Sequence, residues 1–385
     1  MNELAKYAEQ YKTELLDSII PFWMNHSKDN VSGGYFSCLD RCGEIYDTDK
    51  FMWLQGREVW LFSMLYNKVE KKPEWLDMAL HGAEFMKKYG RDEQGNWYFS
   101  LTHDGKPLVQ PYNIFSDCFA AMAFSELYKA TGNKEHKEIA LNTFANIQMR
   151  QNSPKGIYCK AYPGTRPLKS FSLPMILCNL SLIMEDILGT EYVDKTIQPL
   201  IKEVMEVFYD KDSGLILENV TPKGNFSDSF EGRLLNPGHT NESMWFMMDL
   251  AVRNNDKALI DKSIEILLRS TEKGWDKKHG GIFYFIDIKG HPVQQLEWDQ
   301  KLWWVHIETL ISMAKAYRLT GNQECKKWFE IIHEYTWNHF KDPEYPEWFG
   351  YLNRQGEPLL ELKGGKWKGC FHVPRGLYEI WKILE

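Results

Sequence analysis

The sequence predicts an all-α fold, an (α/α)6 barrel or six-hairpin toroid with short β-hairpins at one end, in a single domain spanning residues 1–385. Three observations carry that prediction. Glycine–aromatic clusters recur along the chain near Gly34, Gly95, Gly156, Gly214, Gly281 and Gly350, at spacings of 58 to 69 residues. Stretches with helical periodicity fill the intervals between them. The last segment, "GCFHVPRGLYEIWKIL", is as apolar as an inner helix. An open solenoid of helix pairs repeats every ~34 to 47 residues and ends on polar caps, so closure fits this longer repeat better.

Each cluster reads as an aromatic alternating segment followed by a glycine turn, such as Asp104-Gly105 or Gln355-Gly356, which is the pattern of a short hairpin. The stretch "EWLDMALHGAEFMKKYG" sets Leu76, Leu80, Ala83, Phe85 and Met86 near one face and stops on Gly90. Its partner "NIFSDCFAAMAFSELYKATGN" places Phe115, Phe119, Met122, Ala123 and Leu127 at helical spacing. The "TGN" links at 131–133 and 320–322 are short enough to join antiparallel neighbours. Twelve helices in six pairs follow.

With 43% apolar and 14% aromatic residues the chain has enough hydrophobic content for a large core. A net charge of -7 with both signs interspersed gives no basic stripe for nucleic acid or anionic membrane, so the expected partner is a small molecule. The N-terminal "MNELAKYAEQYKTELLDSIIPFW" has acids within each apolar run and reads as neither signal peptide nor membrane span. Seven cysteines without a CxxC pair read as reduced thiols of a cytoplasmic protein.

Closure has a consequence for position. Helices 2, 4, 6, 8, 10 and 12 are entered from hairpins, so their first turns converge on one mouth. Helix 2 brings Trp53, Gln55, Arg57 and Trp60; helix 4 brings Tyr112, Asn113, Ser116 and Asp117. Helix 8 opens "PGHTNESMW" with His239, Glu242 and Trp245; helix 10 carries Trp303, Trp304, His306 and Glu308; helix 12 opens on His372. Only helix 6, "KSFSLPMILCN", starts mostly apolar. Ionisable groups among tryptophans make a pocket rather than a dry core.

Bland readings compete. His239 and Glu242 suit a helix start, Arg57 suits aromatic stacking, and tryptophans are more often wall than chemistry. His26, His81, His103, His136, His279, His291, His333 and His339 lie on polar faces or turns and read as surface or structural. His372 differs, because "CFHVPR" sets it between apolar neighbours, where an unpartnered imidazole is unfavourable.

No HExxH, Walker A, GxGxxG or GxSxG pattern is present, so no metal site, phosphate loop, dinucleotide fold or serine elbow is expected. Two imidazoles suit proton removal beside a carbonyl on one face and return on the other through an enediolate, which is epimerisation. Arg57 can stabilise the oxyanion, and Glu242 or Glu308 can orient a histidine or grip a hydroxyl.

The segments "WLQGREVW" at 53–60, "PGHTNESMWF", "KLWWVHIETL" at 301–310 and "FHVPRGLYE" at 371–379 resemble the N-acylglucosamine 2-epimerase family over nearly the whole chain. The resemblance implies interconversion of N-acetylglucosamine and N-acetylmannosamine in an (α/α)6 barrel. It implies His239 and His372 as the acid–base pair, and Arg57, Trp53, Tyr112, Asn113, Glu242, Trp304 and Glu308 around the sugar. It also implies a homodimer and chemistry without a cofactor, with ATP or another nucleotide as activator in several members. Cellobiose 2-epimerases and aldose–ketose isomerases of the wider superfamily carry a histidine on helix 6 that "SLPMILCNLSLIMED" lacks. Val305-His306 departs from the related Pro-His or Pro-Gln and leaves the role of His306 open. Two other readings stand beside this one: a glycoside hydrolase drawing on Asp117, Glu242 and Glu308, and a non-enzymatic scaffold.

Overall fold

The computed structural model describes residues 3–162 and 164–385. Met1, Asn2 and Pro163, which belong to the N-terminal and third-cluster readings above, lie outside the described residues. The first helix, α1, runs as Ala8–Thr13 and Ile20–His26 joined through a π-helical turn at Glu14–Ile19. It is followed by α2 (Met52–Lys68), α3 (Pro73–Tyr89), α4 (Phe115–Thr131), α5 (Lys134–Arg150) and α6 (Ser172–Ile183). Then come α7 (Thr190–Lys202), α8 (Pro237–Asn254), α9 (Lys257–Gly274), α10 (Trp303–Thr320), α11 (Gln323–His339) and α12 (His372–Leu384).

Even-numbered helices pack on one another in succession, α2 on α4, α4 on α6, α6 on α8, α8 on α10 and α10 on α12. Each of α2, α4, α6, α8 and α10 also packs on the odd helix that follows it, and α12 packs on α1. The alternation explains the burial. In α10 every residue from Trp303 to Ala314 is buried, as befits a helix covered on all sides. The outer α9, by contrast, buries only one stripe, including Leu259, Ile266 and Leu267. Close approach between inner helices depends on glycine. A β-carbon on Gly238 would lie 2.7 Å from Val305 and 2.8 Å from Trp304, and one on Gly376 would lie 2.2 Å from Ile307.

The hairpin expectation holds for four clusters: Cys38–Leu39 with Ile45–Asp47, Ser100–Leu101 with Pro107–Val109, Tyr209–Asp210 with Leu215–Ile216, and Tyr351–Leu352 with Pro358–Leu360. It fails for the other two. Near Gly156 there is a single 3-10 turn, Gly156–Tyr158, and near Gly281 the strand Ile286–Asp287 pairs with Leu234–Leu235 of the preceding unit. Strands of two or three residues are too short to stand alone, so they borrow a neighbour's edge. Lys50–Phe51 pairs with Ser100–Leu101, Lys169–Ser170 with Asn219–Val220, and Lys301–Leu302 with Tyr351–Leu352.

A finer repeat underlies this girdle. Asp29, Asp92, Asp210, Asp276 and Asp342 each stand seven residues before Phe36, Phe99, Leu217, Phe283 and Phe349. Each carboxylate accepts N–H groups of the turn that follows it, as Asp29 does from Val31 and Ser32 and Asp342 from Glu344 and Tyr345. In three units a buried lysine completes the motif: Lys50 Nζ is 2.7 Å from Asp29, Lys301 3.2 Å from Asp276 and Lys363 2.8 Å from Asp342. These ammonium groups also face the rings of Phe36, Phe283 and Phe349.

Removing one partner of such a pair leaves a buried charge unmatched. Asp342→Ala, which strands Lys363 and Arg41, should destabilise the fold by about 3–5 kcal/mol in urea denaturation. Burial opposes the Asp342 charge, but Arg41 and Lys363 outweigh it and hold its carboxyl well below the usual range. Its contribution is therefore present above the unfolded value of about 3.9 and is lost as pH falls, so the difference between the two proteins should shrink in acid.

Candidate active site

Three inner helices deliver their polar first turns to one place. Asn236 caps α8 by accepting the His239 N–H at 3.1 Å, and Pro237 opens the helix, so His239 and Glu242 emerge one turn apart. The α12 turn supplies His372 and, three residues on, Arg375; α10 supplies Trp304 and Glu308.

Arg375 lies at the centre. Its Nη2 donates to Glu242 Oε1 at 2.6 Å and to Glu308 Oε1 at 2.5 Å, and all three side chains are buried. Burial works against the guanidinium charge, but Glu308 and Glu242 outweigh it and raise its pKa. Glu308 is shared further, accepting from Trp245 Nε1 at 3.0 Å and meeting His372 Nδ1 at 2.8 Å. Glu242, Glu308 and His372 present ligand-type atoms within 4.8 Å of one another, and the Arg375 guanidinium supplies the positive charge among them.

The two histidines have different partners. His239 Nδ1 lies 3.0 and 3.1 Å from the two oxygens of Glu218, whose carboxylate makes no other hydrogen bond among the described residues. Burial alone would strip the His239 proton, but the charge and hydrogen bond of Glu218, with Glu242 added, hold its pKa above the ordinary histidine value. His372 goes the other way: burial first, then the charges of Arg57 and Arg375, push it well below that value. Among the described residues neither Nε2 has a hydrogen-bond partner. The Trp304 ring meets both imidazoles, with centroids 5.1 Å from His239 and 5.9 Å from His372.

Arg57 sits in an aromatic cradle, its guanidinium 4.1 Å from the Phe119 ring, 4.4 Å from Trp53 and 4.7 Å from Phe371. Among the described residues its buried Nε has no partner, so its donors are not spent on acceptors there. Burial and the charge of Arg375 lower its pKa to about 9, which leaves it cationic at neutral pH. The arrangement is therefore two imidazoles, a free guanidinium and a flat indole wall, which is equipment for moving a proton beside a developing oxyanion.

Several expected roles change. Of the two carboxylates read as able to orient a histidine, Glu308 meets His372, whereas Glu242 is bonded to Arg375 and Glu218 is the carboxylate at His239. Asn113 turns its Oδ1 back to the Phe115 N–H at 3.0 Å, so that oxygen starts α4. The Tyr112 ring packs on Phe99 at 5.1 Å, in a half-buried group with Trp53 and the exposed Trp367. Asp117 pairs with Arg150 at 3.0 Å, apart from the other two carboxylates, and burial raises its pKa to about 7. His306 is structural: Nδ1 lies 2.7 Å from Leu302 O and Nε2 accepts from the Ile282 N–H, which fixes a neutral imidazole. His136 and His333 are buried rather than on polar faces, bonded to Thr131 and Tyr11.

Comparison with known proteins places these features. The family model described as N-acylglucosamine 2-epimerase (GlcNAc 2-epimerase) matches residues 34–373. The N-acylglucosamine 2-epimerase of Rattus norvegicus is 40% identical over 380 residues, covering 96% of this chain and 90% of its own length. That of Bos taurus is 39% identical over 385 residues, covering 96% and 89%. The solved structure of cellobiose 2-epimerase from Bacillus thermoamylovorans B4167 superposes with a TM-score of 0.85 over 98% of this chain and 99% of its own, at 22% identity. This last likeness is one of fold, a mostly helical architecture shared at full length.

The unequal partners predict unequal titrations. In nitrogen-detected NMR of the imidazoles, His239 should still be protonated above the ordinary value of about 6.5, and His372 still neutral below it. The His239 pair then contributes stability that is fully present below pH ~6.5 and lost as pH rises through its folded value. His372 contributes stability that is present above that pH and lost as pH falls.

Proposed function

The chain belongs to the N-acylglucosamine 2-epimerase family, and we propose on that premise that it interconverts N-acetyl-D-glucosamine and N-acetyl-D-mannosamine by proton transfer at C2 of the ring-opened sugar. The observation that carries the mechanism is the pair of imidazoles that share the Trp304 ring, each anchored through Nδ1 to a carboxylate and each with Nε2 unbonded among the described residues.

One Nε2 removes the C2 proton, and the C–H electron pair forms the C1–C2 double bond while O1 takes the negative charge. The other Nε2–H returns a proton to the opposite face of C2, and the pair collapses back to the aldehyde with C2 inverted. Atoms and charge balance within the two imidazoles, so the step needs no cofactor. Arg57, with its donors free, is the group for the O1 charge. Trp304 offers a flat face to sugar C–H groups.

The same proposal includes closure of the even-numbered helices into an (α/α)6 barrel, supported by the succession of inner packings and by Phe371 of the α12 entry against Trp60 of α2 at 5.5 Å. It includes a homodimer and a nucleotide activator as properties expected from the family. A cytoplasmic setting is supported by seven cysteines without a disulfide, and no helix among the described residues is long and apolar enough to cross a membrane. Glycoside hydrolysis is the weaker reading, because Glu242 and Glu308 are clamped on one guanidinium instead of flanking an open gap.

Proton NMR in deuterium oxide tests the proposal. N-acetylglucosamine should exchange its C2 proton and yield N-acetylmannosamine, whereas cellobiose, glucose and mannose should turn over poorly. His239→Ala and His372→Ala should each lower exchange by about 10²–10⁴-fold while circular dichroism shows an intact fold. Near wild-type exchange in either variant would exclude the two-histidine mechanism.

A further inference from the structure

The five turn motifs share a register, and one position within it changes in a way that bears on the chemistry. The residue after Phe36, Phe99, Leu217, Phe283 and Phe349 is Ser37, Ser100, Glu218, Tyr284 and Gly350. An acid stands there in one of the five units, the one that leads into α8 and His239; the unit that leads into α12 and His372 has Gly350 instead. Glu218 is held by the girdle itself: its N–H donates to Leu234 O at 3.3 Å and its carbonyl accepts from Phe171 N–H at 3.0 Å. It precedes Asn219–Val220, which pairs with Lys169–Ser170, so two neighbouring segments fix the backbone that aims this carboxylate.

Both Glu218 oxygens are within 3.1 Å of His239 Nδ1, and the side chain is spent on nothing else among the described residues. Glu308, the counterpart on His372, is divided between Arg375, Trp245 and the imidazole. The other groups around His239 are Glu242 on its own helix, already bonded to Arg375, and Trp304 of α10. His372 of α12 is within electrostatic reach, and the phenol of Tyr284 packs against Trp304.

We propose that Glu218 is the positioning residue that keeps the exchangeable proton of the resting enzyme on His239, so that His372 is free as the base. This rests on the two-histidine reading above. The active form then carries one proton on the pair, and activity falls on the alkaline side when that proton is lost and on the acid side when a second is gained. Without the Glu218 charge, His239 holds its proton less tightly, so the alkaline limb must move toward lower pH.

Glu218→Gln keeps the shape and removes the charge; Glu218→Asp retains the charge. The measurement is kcat/KM for N-acetylglucosamine from pH 5.5 to 9.5, with the titration of His239 followed by NMR in the same proteins. In Glu218→Gln the alkaline limb should shift down by about one pH unit, so that the loss is roughly tenfold greater at pH 9 than at pH 6.5. The His239 titration should fall with it, and Glu218→Asp should restore part of the wild-type profile. A uniform loss with unmoved limbs and an unmoved His239 titration would make Glu218 merely structural and overturn the proposal, as would full activity at every pH. Failure of the underlying reading looks different, because wild-type protein would then epimerise without exchanging the C2 proton, whatever the titration of His239.

Discussion

The fork from Arg375 to Glu242 and Glu308 is the interaction on which the site depends. It joins the first turns of α8, α10 and α12 through three buried side chains. Such a group is stable only when complete, because either carboxylate left alone in that interior would lack its counter-charge. Completeness has a chemical result. Glu308, drawn toward Arg375, gives His372 a fixed orientation without giving it a full negative charge, and the same guanidinium opposes protonation of that imidazole. The bond that joins α8, α10 and α12 thus also disfavours a proton on His372.

The girdle around the helix starts works by repetition and the site by exception. Five aspartates order five turns, and three lysine–aspartate pairs, each beside a phenylalanine, lock neighbouring segments together. None of these groups enters the proton chemistry. They hold backbone in place, and a carboxylate set on that backbone at Glu218 inherits its rigidity. Catalytic pairs lose efficiency when an imidazole can wander, so anchoring one dyad in paired strands and the other in a buried helix junction is a physical way to keep both Nε2 atoms in register.

Much of this was legible in the chain. Glycine spacing and helical periodicity gave six units, and the first turns of alternate helices named His239, His372, Arg57, Trp304 and Glu308. Arg375 lay within the quoted "FHVPR", at i+3 from His372 and so on the same face, but a spacing cannot say which carboxylates it will meet. Glu218 gave no local signal, because its role arises from strands that pair segments some fifty residues apart. Asn113 Oδ1 and the His306 ring, whose role the sequence left open, are bonded to backbone for the opposite reason. Both are polar residues at helix starts, and there the backbone N–H and C=O groups compete for a side chain as strongly as a ligand does.

The electrostatic count within the pocket explains why one proton is the working number. Glu218, Glu242 and Glu308 are matched by Arg57, Arg375 and a protonated His239, three against three. A second proton on His372 would leave an unmatched positive charge beside two guanidinium groups, and loss of the His239 proton would leave an unmatched negative one. When His372 takes the C2 proton, the new imidazolium sits against Glu308 and the new oxyanion falls to Arg57, so charge separates without a change in the total. A buried site that disfavours net charge but permits this internal separation favours return of a proton from the opposite imidazole, and inversion at C2 is the chemical expression of that return.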